Sequence, residues 1–450
     1  MADRPRRRKP DRARRLAFDV LRSVHADGAY ANLALSALLA ERGLTGRDAA
    51  FATELVAGTC RLQGSYDVII AAAADRALNS FQPAVLDLLR LGAHQVLSLR
   101  VPVHAAVAAM VDLAAATVGE RVTGLTNAVL RRVAAHDLEG WYALLSADLD
   151  ERDALALRTA HPRWVVDAFA ELLPAAELEP ALAADNRNPE VTLAVRPGLA
   201  EVDELVLAGA APARLSPYAA RWSGSLTELP AVREGRAGVQ DEGSQLVAWG
   251  LTRADAPVGP WLDLCAGPGG KSALLAGLAA ATGSRLVSVE PSAHRADLVA
   301  AGLRAYPRDQ RPLVLQADGT RPAWTPGSFA RVLVDVPCSG LGALRRRPES
   351  RWRRSPADVE QLHPLQTALL SSALDAAAPG GVVAYVTCSP HRRETVDVVE
   401  EVLADRPEVA RLPATALLPD VPEAGLGDFL QLWPHRHGTD AMFTAYLRVG

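Results

Sequence analysis

The sequence predicts an α/β protein in which a doubly wound, mostly parallel sheet follows an all-helical region and a small α+β part. Two observations carry this prediction. From residue 239 onward, short apolar strand candidates alternate with amphipathic helix candidates, a pattern typical of a parallel sheet covered by helices. Before that point, apolar residues recur mainly at helical spacing. We therefore expect folding units of different class within one chain.

The chain is long enough for several cores, with 450 residues of which 49% are hydrophobic. In the first region, helix candidates span residues 13–22, 33–39, 48–63, 83–99, 103–117 and 124–135. The pattern loosens near Gly140, and a strand-like run follows at 191–195. We predict an all-helical domain over residues 1–140, a helical and then α+β part over 141–235, and a doubly wound domain over 236–450.

The doubly wound domain is predicted in more detail from its apolar runs. Strand candidates span residues 261–265, 285–289, 312–316, 331–336 and 381–387, and helix candidates span 271–282, 292–305, 358–378 and 392–403. Two further runs, 429–433 and 441–449, are expected to form an antiparallel pair at one edge. Because ligands of such sheets bind beyond the carboxyl ends of the strands, the residues that follow each strand are the candidates for function.

Composition and charge exclude several classes of protein. The sequence has no run of eighteen uncharged apolar residues, and no apolar segment follows the N-terminal arginines, so we expect neither a membrane span nor a secretory signal and place the protein in the cytoplasm. The four cysteines lack metal-site spacing, so we expect free thiols and no metal. We also expect a monomer.

Basic residues cluster in two places although the net charge is only -4. The clusters span residues 4–15 and 345–354, and each is a candidate contact for a polyanion. The first cluster is equally consistent with a solvated tail.

The first strand candidate runs into a glycine-rich turn. Its residues are Cys265, Ala266, Gly267, Pro268, Gly269, Gly270 and Lys271. Glycines let a ligand approach the backbone, and the next helix directs its positive end toward the turn. The spacing matches neither the dinucleotide fingerprint nor the Walker A loop, and tight packing is the alternative explanation. Lys9 and Lys271 are the only lysines, so an ammonium group is specifically indicated at 271.

Carboxylates follow the next two strand candidates. Glu290 is placed to accept hydrogen bonds from both hydroxyls of a ribose, and Asp318 to accept one from an adenine amino group. Either residue alone could be a surface charge or a helix cap. A glycine-rich turn and two carboxylates at three consecutive strand ends together indicate a nucleotide-like cofactor.

The last two strands of the parallel set end in similar cysteine turns. Their sequences are Asp335-Val336-Pro337-Cys338-Ser339-Gly340 and Thr387-Cys388-Ser389-Pro390. Both turns emerge at the same edge of a parallel sheet, so we expect the two thiols to share a pocket with Asp335. Two buried packing cysteines are the alternative.

A thiol beside such a cofactor suits methylation of carbon 5 of a pyrimidine. A thiolate that adds to carbon 6 makes carbon 5 nucleophilic enough to attack the methyl group of S-adenosylmethionine. A carboxylic acid near the ring nitrogen would stabilise the adduct, and a base must then remove the carbon 5 proton so that the thiol is expelled. The spacing of the cysteines does not determine which thiol attacks.

An arginine-rich segment follows the Cys338 turn. Its candidate RNA-binding residues are Arg345, Arg346, Arg347, Arg351, Trp352, Arg353 and Arg354. Arginines neutralise phosphates and a tryptophan can stack on an unpaired base, which suits RNA held outside a duplex. A methylated base must be unstacked to reach the pocket. The alternative is a charged loop whose tryptophan packs into the core.

The glycine-rich turn and the two cysteine turns resemble those of the RNA 5-methylcytosine methyltransferases. Residues 240–245 and 434–440 also resemble segments of that family. Residues 14–17, 28–32, 48–51, 88–95 and 127–132 resemble the NusB-type antitermination-factor fold. The chain is most similar to the RsmB subfamily, also called Fmu or Sun. Two departures are Gly267, where the family often has alanine, and 441–443, where a glycine and a second aromatic are more usual.

The resemblance implies a class I S-adenosylmethionine-dependent methyltransferase fold after a NusB-like RNA-binding domain. It implies methyl transfer to carbon 5 of a cytosine in 16S ribosomal RNA, with Cys388 as the nucleophile and Cys338 assisting proton removal. The glycine-rich turn, Glu290, Asp318 and Asp335 would bind the cofactor or order the site. A non-catalytic RNA-binding or antitermination factor is one alternative. A dinucleotide-dependent dehydrogenase is another, which the spacing of the turn disfavours.

Overall fold

The computed structural model describes residues 11–450, which form two compact units. The N-terminal unit comprises the described residues up to Arg187 together with Leu344–Arg353, and the C-terminal unit comprises Asn188–Ala343 and Arg354–Gly450. Most of the basic cluster at 4–15, a candidate RNA contact, lies outside the described residues.

This grouping differs from the predicted division at residues 140 and 235. The helices that follow residue 140 belong to the N-terminal unit, and the strand at 191–195 belongs to the C-terminal unit. The insertion of Leu344–Arg353 into the N-terminal unit was not predicted. Local sequence pattern reports the type of an element and not the unit against which it packs, so these boundaries depend on long-range contacts.

The N-terminal unit is helical, as predicted. Its helices are α1 Arg12–Ala26, α2 Ala31–Arg42, α3 Gly46–Arg61, α4 Gln63–Ala74, α5 Pro83–Leu97, α6 Val103–Thr117, α7 Thr123–Val133, α8 Leu138–Leu145, α9 Glu151–Thr159, α10 Arg163–Ala170 and α11 Ala175–Ala184. α1 shows why they form: Asp11 caps its first turn by accepting from the Arg14 backbone N–H (2.9 Å), and Leu16, Val20 and Val24 on one face are buried.

The C-terminal unit begins with a small antiparallel sheet. Its elements are β1 Val191–Val195, α12 Val202–Leu207, β2 Ala211–Pro212, β3 Ala219–Trp222, α13 Pro230–Arg233 and β4 Ala237–Val239. The strand order is β2-β3-β1-β4. The predicted strand at 191–195 is confirmed, and its pairing with β4 carries the small sheet past the predicted boundary at 235.

The large sheet of this unit alternates strands with helices. In chain order the elements are α14 Glu242–Arg253, β5 Trp261–Asp263, α15 Gly270–Ala281, β6 Leu286–Val289, α16 Ala293–Gly302, β7 Leu313–Leu315, β8 Phe329–Asp335, α17 Ser350–Arg353, α18 Pro356–Ala376, β9 Ala377–Thr387, α19 Val396–Ala404, β10 Ala410–Leu412, α20 Ala414–Leu417, β11 Gly425–Leu426, β12 Phe429–Gln431, α21 Pro434–His437 and β13 Phe443–Arg448. Of these, α17 belongs to the N-terminal unit.

The strand order of the large sheet is β11-β12-β13-β9-β8-β5-β6-β7, and β10 also pairs with β13. Strands β9, β8, β5, β6 and β7 run parallel, and β13 pairs antiparallel with β9 and β12. The doubly wound sheet and its antiparallel edge are therefore confirmed. Successive residues of β8 join different cores, Leu333 on one face and Val332 and Val334 on the other, because helices cover both faces.

The chain order reverses between β5 and β8, since β6 and β7 extend the sheet to one side and β8 and β9 to the other. Such a switch point opens a crevice at the carboxyl ends of the strands, and the glycine-rich turn follows β5 there. Among residues 11–450, no helix is long and apolar enough to cross a membrane.

Candidate active site

The glycine-rich turn joins β5 to α15 and is held against the end of β6. Gly267 donates its backbone N–H to Glu290 Oε2 (3.1 Å), and its carbonyl accepts from Arg295 Nη2 (2.6 Å). A Cβ atom at position 267 would lie 2.2 Å from Glu290 Oε2, so glycine leaves the space that this carboxylate occupies. Gly269 has a left-handed φ of 111° where α15 begins, a conformation that glycine adopts without strain.

The remaining residues of the turn pack against the core, bond to β6 or line a cavity. Cys265 packs against the core, and burial raises the pKa of its thiol well above the ordinary value, so the thiol stays protonated. The Ala266 backbone N–H donates to Val289 O (2.9 Å). Pro268, Gly269 and Gly270 line a cavity of about 270 Å³.

Glu290 and Asp318 follow β6 and β7, as predicted, but their surroundings differ. Glu290 is buried, and its Oε1 accepts from the Ser292 backbone N–H (3.0 Å). Asp318 is half-exposed and is held by its own loop, where Thr320 donates its backbone N–H (2.9 Å) and hydroxyl (2.8 Å) to Oδ1. The backbone hydrogen bond, and then the hydroxyl bond, lower the pKa of Asp318, so this carboxylate is ionised at neutral pH.

A buried carboxyl that the sequence analysis missed lies beneath the turn. Asp263 ends β5, and its Oδ2 accepts from Ser272 Oγ (2.6 Å), which lies 3.1 Å from Ser288 Oγ. Burial raises the pKa of Asp263 to about 7. Its other oxygen, Oδ1, is also buried, and a hydrogen bond from the Cys265 backbone partly offsets the effect of burial on the pKa. The sequence feature that could have identified Asp263 is its position at a strand end.

Lys271 connects the glycine-rich turn to the fourth parallel strand. Its Nζ lies 2.6 Å from Asp335 Oδ2 at the end of β8, and both side chains are largely buried. Burial by itself lowers the pKa of Lys271, but attraction to Asp335 and then to Cys388 outweighs it, so the pKa is raised. Lys271 is therefore protonated, and its positive charge interacts with Cys388.

The two cysteine turns bring their thiols together. Cys338 Sγ lies 3.4 Å from Cys388 Sγ, and both side chains are partly exposed. The hydrogen bond with Cys388, and then burial, raise the pKa of Cys338 well above its ordinary value. The two thiols are therefore close enough to share a proton, and Cys338 is a thiol that loses its proton less readily than usual.

A polar network that the sequence analysis missed lies behind the Cys338 turn. Glu394 is completely buried and accepts from the Ser339 backbone N–H (2.7 Å) and the Ser339 hydroxyl. Ser339 Oγ lies 3.2 Å from Ser389 Oγ, so the serines that follow the two cysteines also meet. The repeated Cys-Ser pair was the available signal, whereas nothing local marks Glu394.

The Cys388 turn is fastened to a glycine and to the C-terminal segment. The Gly342 backbone N–H donates to Cys388 O (2.9 Å), and its carbonyl accepts from the Ala441 backbone N–H (2.9 Å). Next to Ala441, the Asp440 backbone N–H donates to Asp241 Oδ2 (3.1 Å). The segments at 240–245 and 434–440 therefore support the Cys388 turn from outside the sheet.

The structure corrects the expected RNA contact for part of the arginine-rich segment. Arg351 is fully buried and donates to Ala160 O (3.0 Å) and Asn186 Oδ1 (2.8 Å), and burial lowers its pKa to about 10. The Trp352 ring packs on Gly64 and its Nε1 donates to Cys60 O (2.8 Å). These side chains pack in the N-terminal unit, which was the alternative prediction.

The other arginine side chains of the segment are either packed against the N-terminal unit or exposed to solvent. Arg353 donates to Gly28 O (2.9 Å) and Val24 O (2.8 Å), and Arg345 is also buried. Arg347 is exposed above the Tyr30 ring (5.1 Å), while Arg346 and Arg354 are partly exposed. Arg345 and Arg351 therefore leave little surface for a phosphate, whereas Arg353 is partly exposed.

The crevice at the switch point holds a glycine-rich turn, carboxylates at the next strand ends and a pair of thiols. This arrangement is that of the class I S-adenosylmethionine-dependent methyltransferase fold. A profile described as "16S rRNA methyltransferase RsmB/F" matches residues 252–448, and one described as "NusB family" matches residues 11–135. The chain belongs to this methyltransferase family, with a NusB domain at its N-terminal end.

Similarity extends over the whole chain. A putative methyltransferase of Mycobacterium tuberculosis, Rv1407, is 52% identical over 99% of this chain and 98% of its own. A probable ribosomal RNA small subunit methyltransferase B of Synechocystis is 32% identical over 97% and 99%. The crystal structure of PH0851 superposes with a TM-score of 0.80 at 20% identity, over 98% and 99%, and supports the fold.

Proposed function

We propose that this protein transfers a methyl group from S-adenosylmethionine to carbon 5 of a cytosine in small-subunit ribosomal RNA through a covalent cysteine adduct at carbon 6. The observation that carries the proposal is the pair of thiols 3.4 Å apart beside the Lys271–Asp335 ion pair. A reaction that needs one nucleophilic thiolate and one proton-carrying thiol uses both members of such a pair.

The residues at the strand ends fit the cofactor. When bound, S-adenosylmethionine supplies the methyl group. Gly267 leaves the backbone open where a side chain would collide with Glu290, and Glu290 and Asp318 provide acceptors for ribose and adenine.

The thiols and the ion pair divide the remaining chemistry. Cys388 attacks carbon 6 as a thiolate beside the Lys271 ammonium. The Lys271 ammonium, held by Asp335, offsets the negative charge that moves into the ring. When Cys388 becomes a thioether, Cys338 loses the hydrogen bond that most raises its pKa, releases its proton to water and accepts the proton from carbon 5. The electrons of that C–H bond restore the ring double bond and expel Cys388.

The RNA substrate is supported by the family and by exposed basic groups. Curated relatives carry the name ribosomal RNA small subunit methyltransferase B. Arg346, Arg347 and Arg354 keep exposed surface and remain candidates for phosphate contact.

The assigned roles are tested by trapping the adduct. Cys338→Ala protein, mixed with small-subunit RNA and S-adenosylmethionine, is expected to form a protein–RNA complex that survives denaturation, because the carbon 5 proton is no longer removed. Cys388→Ala protein is expected to form none. Gel mobility and mapping of the modified nucleotide measure both.

The control for RNA binding is a filter-binding measurement, in which both variants should bind RNA like the unsubstituted protein. Adduct formation by Cys388→Ala alone would reverse the two roles. Methyl transfer to a position other than cytosine carbon 5 would reject the reaction.

A further inference from the structure

Glu394 is a buried carboxylate that sequence reasoning did not assign. It ends the 3-10 helix Arg392–Glu394, directly after the Cys388 turn, and none of its side chain is exposed. Its carboxylate accepts from three donors, the Ser339 backbone N–H (2.7 Å), the Ser339 hydroxyl and Gln366 Nε2 (3.2 Å). Tyr385 also donates to the Glu394 carbonyl (2.7 Å). Such a complete set of donors fixes the position of the carboxylate.

The contacts of Glu394 hold Cys338 from both sides. Ser339, the residue after Cys338, is bonded by Glu394 itself. Gln366 donates to the carbonyl of Pro337, the residue before Cys338 (2.8 Å), with the same nitrogen that it directs toward Glu394. The backbone of the Cys338 turn is therefore fixed relative to Glu394.

The same network reaches the Cys388 turn. Ser339 donates its hydroxyl proton to Glu394, so the 3.2 Å contact between the two serine hydroxyls has Ser389 as the donor. The His391 backbone N–H in turn donates to Ser389 Oγ (3.1 Å). The hydrogen bonds therefore run in one direction, from the Cys388 turn through Ser339 to Glu394, and they fix the two turns next to each other.

Among residues 11–450, no cation forms an ion pair with Glu394. Its hydrogen-bond donors within residues 11–450 are a backbone N–H, a hydroxyl and an amide. Lys271, the cation of the site, pairs instead with Asp335 and is drawn toward Cys388. The hydrogen bond with Cys388 and burial raise the pKa of Cys338, and the negative charges of Glu394 and Asp335 raise it further. A negative group therefore lies behind Cys338, whereas the Lys271 ammonium, paired with Asp335, interacts with Cys388.

We propose that Glu394 is a positioning residue that fixes the Cys338 turn against the Cys388 turn and makes Cys338 the proton-carrying member of the thiol pair. The proposal rests on the proposed function for its catalytic meaning. Glu394 contacts no reacting atom and acts through Cys338. It keeps Cys338 protonated before Cys388 attacks, and it strengthens Cys338 as a base once Cys388 is bound to carbon 6.

Thiol reactivity tests this proposal without RNA. The full-length protein is treated with iodoacetamide at a series of pH values, and alkylation of each cysteine is followed by mass spectrometry of its peptide. In the unsubstituted protein, Cys388 is expected to react at lower pH than Cys338, and about tenfold faster at neutral pH for each unit that separates their pKa values. A lower midpoint for Cys338 would overturn the proposal, whatever the behaviour of any variant.

Glu394→Gln removes the charge while it preserves the shape. Its amide oxygen can still accept from the Ser339 backbone N–H, and the Ser339 hydroxyl can rotate to accept from the new amide nitrogen. We expect the ratio of Cys388 to Cys338 alkylation to fall about tenfold, as for a change of one pKa unit. An unchanged ratio would overturn the proposal.

Two further variants separate charge from shape. Glu394→Asp shortens the side chain but keeps the carboxylate, so the alkylation ratio should stay close to that of the unsubstituted protein. An equal fall in the Asp and Gln variants would show that only shape matters and would overturn the proton-carrying role. Glu400→Gln is the matched control, because Glu400 pairs with Arg411 on the surface of α19 (2.6 Å), and its ratio should not change.

Methylation kinetics then connect Glu394 to turnover. In Glu394→Gln we expect kcat to fall with little change in KM for RNA, and the covalent complex to accumulate, because Cys338 becomes a weaker base. If the unsubstituted protein does not methylate cytosine, the proposed function fails, while the alkylation ratios still decide the role of Glu394. If the ratios shift but kcat does not, Cys338 does not act as the base and the catalytic meaning of the proposal is rejected.

Discussion

The two cysteine turns have similar sequences but are held by different kinds of contact. The Cys338 turn is fastened by side chains, with Gln366 bonding the residue before the cysteine and Glu394 the residue after it. The Cys388 turn is held partly by backbone, since β9 lies between β8 and β13 and the Cys388 carbonyl accepts from Gly342. It is also held by its own side chains, since the Thr387 hydroxyl donates to Ser389 O (3.0 Å) and accepts from the Ser389 backbone N–H (3.3 Å). The difference teaches that two turns of similar sequence can be held by different partners, some of them distant in sequence.

The electrostatic surroundings follow the same division. Glu394 places negative charge behind Cys338. Lys271 pairs with Asp335, and its charge also interacts with Cys388. A nearby cation favours a thiolate and a nearby anion favours a protonated thiol. Substitutions that act on one turn and spare the other therefore test the comparison.

Loss of each thiol should have the largest and most unequal effect. Removal of a covalent nucleophile typically lowers kcat by about 10⁴-fold or more, so Cys388→Ala should abolish methyl transfer in both single and multiple turnovers. Cys338→Ala should retain a single methyl transfer per molecule and lose multiple turnover, because only release is blocked. Transfer of labelled methyl groups to RNA, sampled before and after the first turnover, measures this difference.

Cofactor binding provides the control for these two variants. Neither thiol belongs to the glycine-rich turn, so calorimetry should give similar affinities for S-adenosylmethionine in both. Loss of the first turnover in Cys338→Ala would contradict the division of roles.

Lys271→Ala should mainly affect the surroundings of Cys388. Removal of one partner from a largely buried ion pair leaves Asp335 without its cation, and the expected loss in the free energy of unfolding is about 3 kcal/mol. Cofactor affinity should also fall, because Lys271 lies in the first turn of α15, next to the glycine-rich turn. Urea unfolding and calorimetry measure the two effects.

The double variant Lys271→Met/Asp335→Asn provides the comparison for this ion pair. It removes both charges and should recover part of the lost stability. Cofactor affinity that does not change in Lys271→Ala would reject the role of the ammonium group.

Gly342→Ala should disturb the backbone attachment of the Cys388 turn. A Cβ atom at this position would lie 2.0 Å from Ala441 O and 2.9 Å from Cys388 O, so the turn or the C-terminal segment must move. We expect a loss of about 2 kcal/mol in the free energy of unfolding, as for other overpacked sites, together with slower methyl transfer. Gly302→Ala is the matched control, since a Cβ atom there meets open space at the end of α16 and should not destabilise the protein.

Elements with clearly divided apolar and polar faces were predictable from the sequence, and a helix without a polar outer face was not. The helix at 103–117 and the strand at 191–195 were predicted with the bounds that the structure has. Helix α4, Gln63–Ala74, was missed although its buried residues Tyr66, Ile69, Ile70 and Ala73 follow the helical period, because alanines and the exposed Val68 occupy much of its outer face. Prediction therefore failed where the outer face of a helix carries few polar residues.

The candidate site was predictable where function follows a strand end. Gly267, Glu290 and Cys338 could be located in this way, because parallel strands bring their carboxyl ends to one edge. Glu394 and Arg351 could not, since one is a carboxylate in an ordinary charged run and the other an arginine in a basic cluster. Their burial depends on partners that are distant in sequence, such as Ser339 and Asn186.

The smallest effects should come from the two serines, which occupy equivalent places in the two turns. Ser339→Ala removes a donor from the buried carboxylate of Glu394, and we expect a loss of about 2 kcal/mol in the free energy of unfolding. Ser389→Ala removes the acceptor of the His391 N–H but leaves Ser339 bonded to Glu394, so a loss of about 1 kcal/mol is expected. Urea unfolding of both variants measures the difference. Equal losses would show that the hydroxyl bridge holds both turns alike, whereas a larger loss for Ser339→Ala would show that Glu394 fastens the Cys338 turn more strongly than its neighbour.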